Sequence, residues 1–282
     1  MKKLVINADD AGLSSCVNEA VIKCLEEGAV TGTSVMPCGE SFSEASAMLK
    51  DAGVTEAGLH ITLTGGFKPA SSSASEVYSL LGEEGRFPAT YIGLFRRLAA
   101  GKVSAGHLRK ELGAQLDALR EEGLTVTHID SHEHVHMFPG ILSEVIALAG
   151  RSGVEYVRFP CEWSGFCVSL SVKDILRHSA LKFFALLSRR KFREVKHNDL
   201  FMGHYHAGRV DEEVLGMFIE NAAEGLTEVA VHPCAYDAEF LEKNPWYANG
   251  PAELEALLSE KWKKKIREGG VRLVSHGEAV RA

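Results

Sequence analysis

The sequence lacks the features that mark several large classes of protein. Its six cysteines include no Cys-x-x-Cys pair, which argues against a zinc ribbon or a redox motif, so we expect reduced and mostly buried thiols. No run of about 18 apolar residues is present, so no segment is expected to span a membrane. Met1 leads directly into the apolar run 4–6 without the hydrophobic region of a signal peptide. These absences predict a cytoplasmic protein.

Positive charge is also scarce. Lysine and arginine total 31 against 38 aspartates and glutamates, which gives a formal net charge of −7. Proteins that bind nucleic acid usually present a basic face, so this balance predicts no nucleic-acid partner. The 282 residues, of which 45% are hydrophobic, suffice for one large core. We therefore expect a single domain over residues 1–282.

Short β-rich runs alternate with segments of helical periodicity along most of the chain. The apolar stripe 108–119 ends before Gly123, and the stripe 141–149 ends before Gly153. This alternation predicts an α/β fold with a parallel sheet and right-handed crossovers, and the number of units favours a closed or nearly closed (β/α) barrel. The expected strands cover residues 3–8, 31–36, 57–63, 125–130, 154–158, 227–232 and 271–275.

Two longer segments interrupt this alternation. Residues 65–105 contain a serine-rich stretch, and residues 161–200 contain aromatic residues and the basic run 189–191. Both are expected to be insertions in the loops that follow strands, where barrels place elements that recognise the substrate.

Polar residues gather where the predicted strands end. The first strand ends in Asp9 and Asp10, the third contains His60, the next leads into D-S-H-E-H-V-H at 130–136, and a late strand ends in His232. In a parallel β/α fold the carboxyl ends of the strands form one rim, and active sites lie there. Four separate strand ends therefore deliver carboxylates and imidazoles to the same place.

Each of these features has a structural explanation when it is taken singly. The aspartate pair could cap the following helix, His60 could be a hydrogen-bonded core residue, and alternate histidines of 132–136 could share one face of an extended segment. Together they favour a site. A carboxylate with two neutral imidazoles suits zinc or another first-row divalent ion, which polarises a carbonyl and lowers the pKa of water. The second aspartate can then accept a proton, and His232 can protonate a leaving amine.

The motifs resemble those of the YdjC-like carbohydrate deacetylases, a family that includes the ChbG and HpnK branches. They occur in the family order and cover almost the whole chain. The matching segments are N-A-D-D-A-G at 7–12, G-L-H-I-T-L at 58–63, D-S-H-E-H-V-H at 130–136, R-F-P at 158–160 and E-V-A-V-H-P at 228–233.

The resemblance implies a distorted β/α barrel related to polysaccharide deacetylases and a bound divalent metal ion, magnesium or zinc. It assigns roles to six residues: Asp9 as general base, Asp10, His60 and His132 as metal ligands, Arg158 as the group that orients the base, and His232 as general acid. The family usually has phenylalanine where this chain has Ala11. Which of His132, His134 and His136 binds the metal stays open, and His134 is the principal alternative.

One stretch resembles the HpnK branch, which is associated with hopanoid glycolipids. It comprises K-H-N-D-L-F-M-G at 196–203 and G-R-V-D-E at 208–212, and Asp199 within it joins His134 and Trp163 as a candidate substrate-binding residue. The preceding segment, 181–193, mixes apolar and basic residues. It predicts either a peripheral contact with a lipid surface or an ordinary helix that packs its apolar face.

We therefore expect a metal-dependent hydrolase that removes the N-acetyl group of an amino sugar, either a chito-oligosaccharide or a GlcNAc-containing glycolipid. Phe67, Trp163, Tyr236 and Trp246 are candidates for stacking on sugar rings. Alternative functions are another metal-dependent hydrolase, such as a phosphoesterase or an amidase, and a catalytically silent sugar-binding protein. A homodimer is the expected assembly.

Overall fold

The computed structural model describes residues 1–162 and 172–281. Within these ranges, eight strands form one sheet, and all strand pairs are parallel. The strands are β1 (Lys2–Ala11), β2 (Gly32–Val35), β3 (Glu56–Ile61), β4 (Thr125–Ser131), β5 (Tyr156–Val157), β6 (Leu200–Met202), β7 (Gly225–Val231) and β8 (Arg272–Leu273). Their order is β5-β4-β3-β2-β1-β7-β6, and β8 pairs with the start of β1.

Helices follow the strands and cover the outside of the sheet. They are α1 (Ser15–Glu26), α2 (Phe42–Asp51), α3 (Tyr91–Ala99), α4 (Ala105–Glu121), α5 (Pro139–Ser152), α6 (Val172–Ser188), α7 (Glu212–Asn221), α8 (Ala238–Lys243), α9 (Gly250–Leu258), α10 (Glu260–Glu268) and α11 (His276–Arg281). The ends carry local signals. Ser14 caps α1 by accepting the Val17 N–H, and Gly153 ends α5 in the left-handed conformation that glycine adopts readily.

The sheet curls into an incomplete barrel. Its two edge strands approach each other through single parallel bridges, between Tyr156 and Lys196 and between Glu162 and Phe201. β1 lies at the centre, paired with β2 and β7, and is buried on both faces from Leu4 onward, as is typical of a parallel strand covered by helices. The predicted α/β barrel class is confirmed.

One strand was not predicted. β6 has only three residues, follows the polar pair Asn198–Asp199, and shows no alternation of its own. It forms because Leu200, Phe201 and Met202 pair with β7. Such a strand is specified by its neighbour rather than by a local pattern.

Both segments that interrupt the alternation add helices beside the barrel. The serine-rich stretch of the first segment is held in place by Glu111 of α4. The Glu111 carboxylate accepts hydrogen bonds from the Ala70 and Ser71 N–H groups and from the Ser71 hydroxyl. The segment continues into α3, and the second segment contains α6. Among the helices described, none is both long and apolar enough to cross a membrane.

Candidate active site

A cavity of about 820 Å³ opens at the carboxyl ends of the strands. The polar strand-end residues predicted to gather there do line it: Asp9, Asp10, His60, His132 and His232. The rest of its wall comes mainly from the two inserted segments and from the chain that follows β4, β6 and β7. A concave site at this end of a β/α fold is the usual position of an active site.

Asp9 is held at the floor of the cavity by Arg158. The guanidinium donates from Nη1 to Asp9 Oδ2 at 2.6 Å and from Nη2 to Oδ1 at 2.8 Å, and Asn7 Nδ2 donates to Oδ1 at 2.7 Å. Burial alone would raise the pKa of Asp9, but Arg158, with smaller contributions from His60 and His232, outweighs it and lowers the pKa to about 2. Asp9 is therefore ionised at neutral pH.

Arg158 is fully buried and joins three carboxylates. Besides Asp9, its Nη2 lies 2.8 Å from Asp130 Oδ2 and its Nε donates to Glu228 Oε1 at 2.7 Å. Every nitrogen of the guanidinium thus has a carboxylate partner. Tyr156 donates to the other oxygen of Glu228 at 2.7 Å, so the network extends into the core of the barrel. This arrangement fixes the Asp9 carboxylate in one orientation.

A second cluster lies beside Asp9 and consists of Asp10, His60 and His132. His60 Nε2 is 3.0 Å from Asp10 Oδ1, and His132 Nδ1 is 2.8 Å from the same oxygen. All three ligand atoms lie within 4.8 Å of one another. They are the residues that the resemblance assigned to the metal.

The cluster has the donor set and spacing of a divalent metal site. Ligands that bind one ion at about 2.0–2.2 Å lie about 3 Å apart, which is close to the distances seen here. Asp130 Oδ1 lies 2.8 Å from His60 Nδ1 and so directs the opposite nitrogen, Nε2, at Asp10. A carboxylate behind a histidine is the usual support of a metal-binding imidazole. The residues present therefore fit a divalent ion.

The charges around His60 suit a cation at this position. Burial would lower the pKa of His60, but Asp130 and Asp10 outweigh it and raise the pKa to about 10. A positive charge is thus stabilised between two carboxylates, whether a proton or a metal ion carries it.

The three histidines of 132–136 have different surroundings. His136 is satisfied inside the core, because its Nδ1 lies 2.6 Å from the Ser131 hydroxyl and its Nε2 lies 3.0 Å from the Arg158 carbonyl oxygen. His134 lines the cavity, and its buried Nδ1 has no partner among the described residues. Only His132 of the three reaches Asp10. Burial lowers the pKa of His134 well below its usual value, so this imidazole is neutral.

His232 also lies beside Asp9. Its Nε2 is 3.8 Å from Asp9 Oδ2, and its ring packs edge-on against Trp246 at 4.8 Å between centroids. Burial lowers the pKa of His232, although Asp9 and Asp10 act in the other direction. The backbone N–H of His232 donates to Glu253 Oε1 at 2.7 Å, and burial raises the pKa of that fully buried carboxyl to about 8.

Three residues that contact the site residues were not predicted from the sequence. Tyr247 donates its hydroxyl to Asp10 Oδ2 at 2.5 Å, Asp130 supports His60, and Glu253 supports His232. Asp130 had a signal, since it opens the motif that contains His132. Tyr247 and Glu253 lie on the 3₁₀ turn and the helix after β7, where nothing in the local pattern separates them from packing residues.

Backbone strain marks the same rim. Among the described residues, four that are not glycine have a positive φ, and three belong to the site motifs: Asp10 at 65°, Glu133 at 54° and His134 at 53°. This conformation costs energy for residues with a side chain and persists where the surroundings enforce it. The strain supports a functional role for the two segments that contain these residues.

Some of the remaining candidate substrate-binding residues line the cavity and others do not. Phe67 lines the cavity and packs edge-on against His132, and Trp246 lines it beside His232. Tyr236 is 78% exposed and is not among the lining residues. Asp199 lies away from the cavity, where its carboxylate accepts the Leu226 N–H at 2.8 Å near the start of β7. Trp163 lies outside the described residues.

The far half of the cavity is apolar. Ile92 and Phe95 of α3 face Leu181 and Phe184 of α6 there, with Phe138 between them. Glu133 ties this half to the rim, since its Oε2 accepts the Tyr91 N–H at the start of α3 at 2.9 Å. The cavity therefore has its carboxylates and most of its imidazoles at the strand ends and a mostly apolar wall on the inserted helices, where Arg177 of α6 is the charged exception.

Comparisons with known proteins agree with this geometry. A model of the family described as YdjC-like protein matches residues 3–268. A carbohydrate deacetylase of Brevibacillus brevis is 29% identical over 98% of this chain and 99% of the relative. A chitooligosaccharide deacetylase of Serratia marcescens is 38% identical over 54% of this chain and 58% of the relative.

A solved structure has the same architecture over its whole length. It is a protein of Enterococcus faecalis V583 named for cellobiose-phosphate cleavage. The two chains are 26% identical and superpose with a TM-score of 0.79, which covers 98% of each.

Proposed function

This chain belongs to the YdjC-like family, and we propose that it is a divalent-metal-dependent hydrolase that removes the acetyl group from an N-acetylated amino sugar. The observation that carries the proposal is the pairing of two clusters at one rim: Asp9 with His232, and Asp10 with His60 and His132. The first can move a proton, and the second can hold an ion. Hydrolysis of an acetamide needs both functions.

Asp10, His60 and His132 would hold the metal ion. When bound, the ion would polarise the acetamide carbonyl and make water more acidic. Two imidazoles with one carboxylate favour a first-row ion such as Zn²⁺ over Mg²⁺, which prefers oxygen ligands. Tyr247 fixes the second oxygen of Asp10, so that only Oδ1 faces the two rings.

Asp9 would take the proton from the attacking water. Arg158 keeps it ionised and leaves Oδ2 facing His232, with Nη1 of the guanidinium as its other neighbour. As the water oxygen bonds to the acetyl carbon, its proton passes to Asp9 and the carbonyl oxygen becomes an oxyanion. The fixed position of the carboxylate limits the reorganisation that this step requires.

His232 would deliver that proton to the leaving nitrogen. Its Nε2 is close enough to Asp9 for transfer as the carboxylate and the ring adjust. Because burial lowers its pKa, the protonated ring is a stronger acid than an exposed histidine. The C–N bond then breaks, which leaves acetate and a free amino sugar.

The apolar half of the cavity favours a glycolipid substrate over a short chito-oligosaccharide. Sugar sites usually pair aromatic faces with polar groups, whereas Ile92, Phe95, Leu181 and Phe184 offer no hydrogen-bonding side chain. An apolar aglycone attached to the amino sugar would bury against them. A short chito-oligosaccharide would leave that wall facing water.

Arg158 gives the phosphoesterase alternative no support, because this arginine already binds Asp9, Asp130 and Glu228 and is not free for a phosphate. Arg177 and Lys243 also line the cavity, so phosphate release is measured in the panel described below. A silent sugar-binding protein would need neither the ionised Asp9 nor His232 beside it.

Acetate release from a substrate panel tests the proposal. The panel contains GlcNAc, diacetylchitobiose and a lipid-linked GlcNAc, each assayed with Zn²⁺, with Mg²⁺ and after chelation. We expect metal-dependent acetate, with the lipid-linked sugar as the best substrate. Equal or faster turnover of diacetylchitobiose would reject the glycolipid preference, and release of phosphate from a sugar phosphate without acetate release would favour the phosphoesterase.

A further inference from the structure

The outward face of α6 is apolar. Its exposed hydrophobic residues are each between 49% and 75% exposed and recur at helical spacing: Val172, Ile175, Leu176, Phe183, Leu186 and Leu187. An ordinary surface helix turns such residues inward and its polar residues outward. Here the inward side includes polar groups, because His178 and Ser188 are buried together with Ala185.

This face is continuous with the mouth of the cavity. Ile92 and Phe95 of α3 are both more than 40% exposed and also line the cavity. Phe95 packs against Phe184 at 5.8 Å between centroids, and Phe184 packs against Phe183 at 5.7 Å. We call the exposed hydrophobic residues of the two helices the α3–α6 patch: Ile92, Phe95, Val172, Ile175, Leu176, Phe183, Leu186 and Leu187. It extends from the surface into the substrate cavity.

Basic residues border the end of the patch. Arg189, Arg190 and Arg193 directly follow α6 and are exposed, and none of them is paired with a carboxylate among the described residues. The chain as a whole carries a formal net charge of −7, so this cluster opposes the overall sign. Exposed apolar side chains bordered by arginines are the pattern of a surface that lies in the interface of an anionic bilayer.

We propose that the α3–α6 patch docks on an anionic phospholipid bilayer, with the apolar side chains among the acyl chains and the three arginines at the headgroups. Docking places the cavity mouth against the membrane, so a lipid-borne sugar reaches the strand-end rim without leaving the bilayer. A second copy of the chain is the other occupant that an exposed apolar face can have, and the test below separates the two.

Vesicle co-sedimentation tests the docking without any turnover, so its failure and a failure of the proposed reaction are distinguishable. The full chain is mixed with vesicles of phosphatidylcholine or of equimolar phosphatidylcholine and phosphatidylglycerol. The test variants are Phe183→Glu with Leu187→Glu, and Arg189→Glu with Arg190→Glu. Tyr78→Glu is the matched apolar control, because Tyr78 is also exposed but lies outside the patch, and Lys264→Glu on α10 is the matched charge control.

We expect binding to the anionic vesicles, weakened by salt. Arg189→Glu with Arg190→Glu should reduce the partition coefficient by at least about 25-fold, roughly fivefold for each arginine lost, and the double glutamate substitution on α6 should abolish binding. Both controls should bind as the wild type does. Equal binding by wild type and patch variants, or no binding to either vesicle, would overturn the proposal. A different result would assign the patch to a second copy of the chain instead. In that case the wild type does not bind vesicles, and Phe183→Glu with Leu187→Glu converts a dimer to a monomer.

Discussion

The two halves of the cavity are built in opposite ways. At the strand-end rim, Asp9, Asp10 and His60 are almost completely buried, and each has two or more hydrogen-bonding or charged partners. At the helix half, Phe95 and Phe184 pack against each other, and the apolar side chains of the α3–α6 patch face solvent. The rim is held mainly by directional interactions, whereas the helix half is held mainly by apolar contacts, with a few polar links such as the one between Glu133 and the Tyr91 N–H.

From this difference we infer that the rim carries the chemistry and that the helix half recognises the substrate. Strand ends in a barrel are fixed by the sheet on both sides, which suits groups that must stay within a fraction of an ångström of one geometry. Inserted helices can change without disturbing the sheet, which suits selection of the substrate. Changes at the rim should therefore reduce turnover or stability strongly, and changes at the helix half should alter only which substrates bind.

The largest expected effect is at Asp9. Asp9→Asn removes the proposed proton acceptor while it keeps the shape of the side chain, so kcat should fall by about 10²- to 10⁴-fold. Metal content, measured by atomic absorption, should not change. Asp51→Asn at the exposed end of α2 is the matched control and should retain wild-type kcat. A kcat within about tenfold of wild type in Asp9→Asn would exclude Asp9 as the base.

Arg158 should be the most sensitive position for stability. Arg158→Met leaves Asp9, Asp130 and Glu228 buried without their shared cation, and the free energy of unfolding should fall by about 3–5 kcal/mol. Urea denaturation measures this free energy. Arg109→Met removes an exposed pair with Glu144 and should cost less than about 1 kcal/mol. Similar losses in the two variants would contradict the buried network.

The buried carboxyl of Glu253 should make stability depend on pH. Its pKa in the folded protein is raised from 4.5 to about 8, so its contribution is fully present below pH 4.5 and is lost as the pH rises through 8. Glu253→Gln cannot lose a proton. From pH 6 to pH 9 the wild type should lose on the order of 2 kcal/mol more unfolding free energy than this variant. Parallel curves for the two proteins would disprove the shift.

Tyr247 should affect metal affinity more than folding. Tyr247→Phe removes one hydrogen bond to Asp10, and the affinity for Zn²⁺ should fall by about 10- to 100-fold, as measured by competition with a chelator. Tyr236→Phe, in an exposed tyrosine outside the cavity, should leave the affinity unchanged. An equal affinity in Tyr247→Phe and wild type would remove Tyr247 from the metal site.

The smallest effect is expected at the helix half. Phe95→Ala removes part of the apolar wall, and KM for a lipid-linked GlcNAc should rise about fivefold while kcat is unchanged. Diacetylchitobiose should show no change in either constant. A fall in kcat for both substrates would mean that the two halves of the cavity do not act separately.

The sequence predicted the rim better than the helix half. Asp9, Asp10, His60 and His132 could be recognised because they interrupt apolar strands at their carboxyl ends. Tyr247 could not, since its contact with Asp10 joins residues 237 positions apart. β6 depends on pairing with β7 and has no period of its own. Periodicity locates the apolar face of α6 but does not reveal whether that face packs against the rest of the protein. In the structure it faces solvent.

The most direct test of the metal site is a chelation and reconstitution assay on one sample. Wild-type protein is stripped with a chelator, assayed for acetate release from its best substrate, and assayed again as Zn²⁺ is added back, beside His60→Gln, which lacks one proposed ligand. The account predicts no acetate after stripping, recovery that saturates at one ion per chain, and no recovery in His60→Gln at the same ion concentration. Undiminished acetate release by stripped wild-type protein, or full recovery in His60→Gln, would contradict it.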